Sequence, residues 1–262
     1  MRSLTRKVLM VLAGALACRI ALGQDAPART FVYDVASVKV DNSGSNSRHT
    51  STTYDHFETT NSSLKQMMAI AYGVREDLIS GVPEALDSAR FDVLAKILDP
   101  DEKAWNKMPQ EQRRAVLRPL LEGRFSIKLH WETKQLPVYE LRMLPGGVKF
   151  KATSEENAHA GSSSHISGHD NSMEMKATAS SVAELAHQFA DDLQRTVIDK
   201  TGLTGKYDFT LRWYADNGGD MPADAPPILF TAVQEQLGLK LTSAKGPVAV
   251  LVVDHVEMPS AN

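Results

Sequence analysis

Apolar positions along the chain recur with two periods, and the switches between them mark the elements. Residues 31–40 are rich in β-branched and aromatic side chains and read as a strand, followed by a Ser/Asn-rich loop over 41–53. A short strand near 56–60 leads into a helix capped by Asn61 or Ser62, in which Leu64, Met67, Met68 and Ala71 follow the i, i+3, i+4, i+7 spacing. Gly81-Val82-Pro83 reads as a turn and 91–95 as a strand. The next helix is predicted from about Gln110, with Pro109 in its first turn and Gly123 at its end. Pro119 falls inside it and predicts a kink or a break, because the ring removes a donor and clashes with the preceding turn. Residues 125–131 and 136–144 read as two strands joined through Glu132-Thr133-Lys134.

Residues 151–172 are rich in Ser, Gly and His, carry no period, and are expected to form a flexible linker. The earlier pattern then returns. A short strand over 173–178 precedes a helix capped by Ser180 or Ser181, whose apolar stripe is Val182, Leu185, Ala186, Phe189, Ala190 and Leu193. Residues 207–211 take the place of 91–95, and a helix over 227–237, ended by Gly238, takes the place of the kinked one. Leu239-Lys240-Leu241 matches Ile127-Lys128-Leu129, and Ala244-Lys245-Gly246-Pro247-Val248 is similar to 133–138 with one residue fewer. The last strand, 248–256, is nearly all apolar and is expected to be buried on both faces.

Each half thus reads strand, helix, strand, helix, strand, strand. The expected fold is α+β: two tandem copies of that module, over 24–150 and 173–262, with sheets covered by helices. The strand at 31–40 has no counterpart in this count and is predicted to pair in the second module's sheet, beside 248–256.

The N-terminus changes the setting. Arg2, Arg6 and Lys7 precede an apolar run over 8–17, and Ala21-Leu22-Gly23 supplies small residues before Gln24, the layout of a secretory signal peptide over 1–23. Arg19 interrupts the run too early for a membrane span of about 20 residues, and no later stretch reaches that length. The single cysteine, Cys18, follows Ala15-Leu16-Ala17, an order unsuited to lipidation. Cleavage after Gly23 leaves a chain without disulfide or thiol chemistry, expected in the periplasm or outside the cell. With 29 basic and 32 acidic residues the net charge is −3, and no basic cluster points to nucleic acid.

Specific motifs carry a resemblance. The run Asp199-Lys200-Thr201-Gly202-Leu203-Thr204-Gly205-Lys206-Tyr207-Asp208-Phe209, then residues 230–241 and the ending Val253-Asp254-His255-Val256-Glu257, resemble a large soil-associated family of secreted bacterial proteins, as do 31–39 and 120–138. That family is a domain of unknown function, and some relatives are joined to membrane metallopeptidase sensors, so the resemblance implies export and an unassigned activity. Ala85 departs from it, standing where the family has Trp after the Gly-x-Pro turn. In pattern alone, the repeated module also resembles the short N-terminal domains of secretins and outer-membrane receptors, which bind protein partners; such a likeness does not fix function.

Several groups bear on chemistry. His159, His165, His169 and Asp170, with Glu155 and Glu156 upstream, are the only metal-ligand candidates, set against the reading of solvated loop histidines. Asp199-Lys200-Thr201-Gly202 reads as a turn, since Leu203 follows where a phosphorylated aspartate motif wants Thr. Ser162, Ser163 and Ser164 beside His165 lack the Gly-x-Ser-x-Gly turn of a nucleophile. Asp92 and Asp208 occupy matching places and are expected to hold local amides rather than act as an acid–base pair. Trp131, Trp213 and Tyr214 are expected on the core or a sheet face. No catalytic residue and no cofactor is expected. The leading expectation is a binding or interaction module of the envelope, its partner an envelope protein or a small ligand. The alternatives are an exported metal-dependent hydrolase and a small-ligand sensor with a pocket between the modules.

Overall fold

The computed structural model describes residues 30–154, 163–169, 171–215 and 224–259. The signal peptide expected over 1–23 lies outside them. The fold is α+β. In the first half, β1 (Tyr33–Val40), β2 (His49–Thr52) and β3 (His56–Ser62) precede helix α1 (Leu64–Tyr72). A single helical turn leads to the two-residue β4 (Ile79–Ser80), then α2 (Glu84–Ser88) and β5 (Phe91–Ile97). Helices α3 (Glu102–Lys107), α4 (Gln110–Ala115) and α5 (Arg118–Phe125) feed the 16-residue β6 (Lys128–Met143). The second half holds β7 (Lys151–Ala152), β8 (Ser163–His169), β9 (Ser172–Ser180), α6 (Val182–Asp192), β10 (Val197–Asp199) and β11 (Tyr207–Tyr214). It ends with α7 (Leu229–Ala232), which widens into a π turn over Val233–Leu237, and the 17-residue β12 (Leu239–His255).

Local chemistry explains the two principal helices. Ser63 caps α1: its hydroxyl accepts from Gln66 N at 3.1 Å, and the Gln66 side chain accepts from Ser63 N at 3.0 Å. Ser181 and Glu184 make the same reciprocal pair at the start of α6, at 3.1 and 2.7 Å. The cap of α1 is thus neither Asn61 nor Ser62. Asn61 is left-handed at φ 52°, with its amide on the Ser45 and Ser47 carbonyls, and the Ser62 hydroxyl is taken by Thr59. The helix predicted from Gln110 breaks before Pro119, which falls in the first turn of α5. It ends at Ser126, left-handed at φ 50°, and not at Gly123, which lies within α5.

Three four-stranded sheets result, ordered β1-β5-β3-β2, β7-β11-β9-β8 and, between them, β10-β6-β12-β4. All pairs in the two outer sheets are antiparallel. The central sheet joins the long strands antiparallel from Leu239 opposite Met143 to His255 opposite Lys128. Its flanking strands are parallel, β10 beside Tyr139–Leu141 and β4 beside Leu251 and Val252.

The long strands cross from one half into the other. Leu251 and Val253 of β12 are buried in the first core, among α1, α5 and β5, while Leu141 of β6 is buried in the second, among α6, α7 and β11. Each core is therefore closed by the far end of the other half's strand. Neither long strand is interrupted at its proline. Pro137 and Pro247 fall where the outer strands do not reach, so the missing N–H withdraws no ladder bond on that side.

Four expectations are corrected. β1 pairs with β5 in the first sheet, Ala36 opposite Ala95, and not beside 248–256. Both sides of β12 are already taken by β6 and β4, and Arg124 of α5 holds the Ala36 carbonyl at 2.6 Å. The linker expected over 151–172 contributes β7 and β8, and the loop over 41–53 contributes β2. The strands expected over 125–131 and 136–144 are one strand, β6. The burial of the last strand on both faces holds over 248–253, with Val248 and Val250 buried on one face and Leu251 and Val253 on the other, while Asp254 and His255 are exposed.

Candidate functional site

α1 ends at Gly73, left-handed at φ 64°, and the chain turns there toward Arg75 at the junction of the two halves. Arg75 grips Asp77 through both Oδ atoms, at 2.9 and 2.6 Å, and its remaining nitrogen donates to the Ala190 carbonyl of α6 at 3.2 Å. The guanidinium thus rivets the first half to the second, and only part of its donor set is left over.

Around this rivet lies an open cleft of about 550 Å³. Arg48 and Thr50 line it from β2 and the residue before it, Gln66 and Ile70 from α1, Arg114 from α4, and His187 and Asp191 from α6. Arg114 lies over Gly73, where an added Cβ would stand 3.0 Å from its terminal nitrogen. The last carbonyls of α1 need donors, and Arg118 meets one of them, its Nε donating to Ala71 O at 2.9 Å while its guanidinium stacks 5.0 Å over the Tyr72 ring. Burial and the Glu122 carboxylate, which accepts the Tyr72 hydroxyl at 2.8 Å, push that phenol well above its ordinary pKa. Arg118 is therefore occupied. Arg48 and Arg114 make no ion pair or hydrogen bond with their side chains among the described residues. Their facing carboxylates are Glu76 and Asp191, the latter 3.5 Å from His187 Nδ1. Two open guanidinium forks in a cleft can each take a carboxylate or phosphate through two parallel hydrogen bonds.

The residues singled out in the sequence lie elsewhere. His159, Asp170, Glu155, Glu156 and Ser162 fall outside the described residues. His165 and His169 are on β8, opposite Lys176 and Ser172 of β9, so about 13 Å of extended backbone separates them. Among the described residues no three His, Cys, Asp or Glu side chains gather as a metal site. Asp199 closes a turn, its Oδ1 accepting from Thr201 N at 2.8 Å and Thr201 Oγ1 at 2.7 Å. Asp92 and Asp208 stand in different sheets and perform one local task twice. Asp92 accepts from N of left-handed Asn61 at 3.0 Å, and Asp208 from N of left-handed Ala179 at 2.8 Å. Trp213 and Tyr214 are buried, whereas Trp131 is 50% exposed on β6 and Ala85 is exposed on α2. The cleft arginines and His187 were missed in the sequence because four separate elements supply them and no local motif links them.

Residues 65–256 match the model of a family described as a protein of unknown function, DUF3738. The chain belongs to the DUF3738 family. No curated protein and no solved structure matches it. The DUF3738 match begins inside α1 and ends just past β12, so it takes in Arg75, Arg114 and His187 and leaves out β1, β2 and Arg48. Among the described residues no helix of this DUF3738 chain is long and apolar enough to cross a membrane.

Proposed function

We propose that this DUF3738 protein is an exported binding module of the bacterial envelope, holding a partner that bears carboxylate or phosphate groups in the cleft between its halves. The observation that carries this reading is the convergence of Arg48, Arg114 and Arg75 with His187 at the junction, two of the guanidinium groups having no side-chain partner among the described residues. Internal acids quench an arginine that serves only the fold; these are presented to a concave surface instead. The signal-peptide pattern over 1–23 supports export. The shared order of the outer sheets, with left-handed Asn61 and Ala179 caught by Asp92 and Asp208, supports a duplicated module. The pattern likeness to envelope partner-binding domains supports the choice of a binding role over turnover.

The test is crosslinking in the native envelope, with the wild-type chain run beside Arg48→Glu and His187→Glu. One abundant partner is expected with the wild type, falling by about tenfold in each variant as a repulsive charge enters the cleft. Recovery of the same partner at equal yield from all three, or of the protein alone, sinks the reading.

A further inference from the structure

The two long strands outrun the strands that flank them. β10 covers β6 only from Tyr139 to Leu141, and β4 covers β12 only at Leu251 and Val252. Each long strand is therefore left with an open edge. In β6 it runs from Leu129 to Pro137, about 27 Å of extended chain.

The bonds around β10 fix which groups that edge presents. Tyr139 N donates to Thr196 O at 2.9 Å, and Leu141 O accepts from Lys200 N at 2.9 Å. Peptide groups alternate sides along a strand, and the pairing with β12 has no register shift between Leu129 and Met143. The odd-numbered residues of β6 thus all turn their N–H and C=O outward. On that side Leu129, Trp131, Thr133 and Gln135 meet no hydrogen-bond partner among the described residues. The two open edges differ in their protection. Pro247 removes a donor from the β12 edge and Lys245 stands beside it, a combination that blunts pairing. The β6 edge has its proline only at one end, and the Trp131 ring stands beside it, 50% exposed. Such an unpaired row is a template for another strand.

The charges on β6 select the strand that fits. On the face opposite Trp131, Glu132 and Lys134 are partly exposed and 3.2 Å apart. When β6 is set antiparallel to a second copy of itself, three registers near the middle keep outward groups facing outward groups. Centred on Glu132 or on Lys134, the two-fold axis sets like charges opposite each other, which is unfavourable. Centred on Thr133, it sets Glu132 opposite Lys134 of the partner subunit, and the reverse. Trp131 then faces Gln135 of the partner subunit, and Leu129 faces Pro137 of the partner subunit, where the missing N–H ends the ladder. Tyr139 of the partner subunit falls opposite Ile127, beyond the start of β6, so its β10 does not overlap this strand.

We propose that the open edge of β6 is a homodimer interface, two copies pairing β6 with β6 about a two-fold axis at Thr133 and joining their central sheets.

Sedimentation of the mature chain from about 1 to 500 μM tests it. A reversible dimer with Kd of about 10 μM is expected, weak because two paired strands form a small interface. Glu132→Lys and Lys134→Glu should each weaken it by about tenfold or more, since like charges then face each other. Mixed in equal amounts, the two variants should associate as tightly as the wild type, which misfolded chains would not do. Cleavage after Gly23 leaves no cysteine, so introduced thiols report the register. Thr133→Cys should crosslink to itself on oxidation, whereas Gln135→Cys, displaced from the axis, should not. No dimer up to about 500 μM, a dimer that survives both charge reversals, or a mixture that stays monomeric overturns the proposal. So does a crosslink through Gln135→Cys in place of Thr133→Cys, or a monomeric chain whose β6 edge takes a strand from another protein.

Discussion

In the first half β1 runs along β5 from Tyr33 to Val40, closing that edge with a strand. In the second half the corresponding strand, β7, is two residues long and meets only Tyr207 and Asp208 of β11. What remains of the β11 edge is closed by other means. The Gln236 side chain accepts from Arg212 N at 2.9 Å and donates to Arg212 O at 2.7 Å, standing in for one peptide group of a missing strand. Tyr214 N donates to the Pro227 carbonyl at 3.0 Å. An edge can thus be finished by a strand or by one amide side chain, and the choice decides what room is left. In the first half, Phe31 just before β1, Ile97 of β5 and Trp105 of α3 make a third small core, with Tyr33 and Met108 packed against it. The second half keeps its cleft-facing helix, α6, but among the described residues has no equivalent of that core.

The strongest way to break the comparison lies at two glycines that follow the flanking strands of the central sheet. Gly81 has φ +84°, and a Cβ there would collide with the Val253 backbone oxygen; Gly202 has φ +74° and open space around it. Gly81→Ala is expected to cost about 4 kcal/mol and Gly202→Ala about 1 kcal/mol, measured by chemical denaturation. Similar costs would show that the two flanks are not held as described. Next, Leu141→Ala and Leu251→Ala each empty the core of the opposite half and should each cost about 3 kcal/mol. Both should lower one shared unfolding transition; two separable transitions would mean that the crossing strands do not couple the halves.

A smaller effect sharpens the contrast between edges. Gln236→Ala leaves the Arg212 backbone without its stand-in partner and should cost about 1 kcal/mol, with faster hydrogen exchange at Arg212 but not across β5. The smallest is a pH effect. Hydrogen bonds from Lys176 and then Arg212 hold Glu174 below the usual carboxylate range, and the Thr53 hydroxyl, at 2.6 Å, does the same for Asp55 in the first half. A depressed folded pKa gives stability that is present above the unfolded value and lost as pH falls through the folded one. Both groups are partly exposed and screened by solvent, so the midpoint should fall only slightly on acidification, and less in Glu174→Gln than in the wild type.

The helices were legible because their burial imposes a period on the sequence. Val182, Leu185, Ala186 and Phe189 are all buried on α6, as their spacing requires. Strands β2 and β8 were illegible for a related reason. Each is the outermost strand of its sheet, made largely of Ser, Thr, His and Gly, and held by backbone pairing that leaves no apolar alternation to read. The long strands were cut short in the reading because Glu132-Thr133-Lys134 and Lys245-Gly246-Pro247 carry the polar and turn-forming residues of a connection, when each is a stretch of strand with a single neighbour. The cleft was expected between the modules in one of the three readings, but its residues were not. Arg48 sits in what reads as a polar loop, and Arg114 follows Arg113 on a helix whose exposed side is charged anyway.

The crossing of β6 and β12 also governs the order in which the molecule can become whole. Leu251 and Val253, which finish the first core, are among the last residues of the described chain to be synthesised. A nascent chain that has already produced α1, α5 and β5 still lacks the strand that seals them, and remains an open, unfinished body until β12 arrives. That delay leaves the first half unsealed until translation of the described residues is nearly complete.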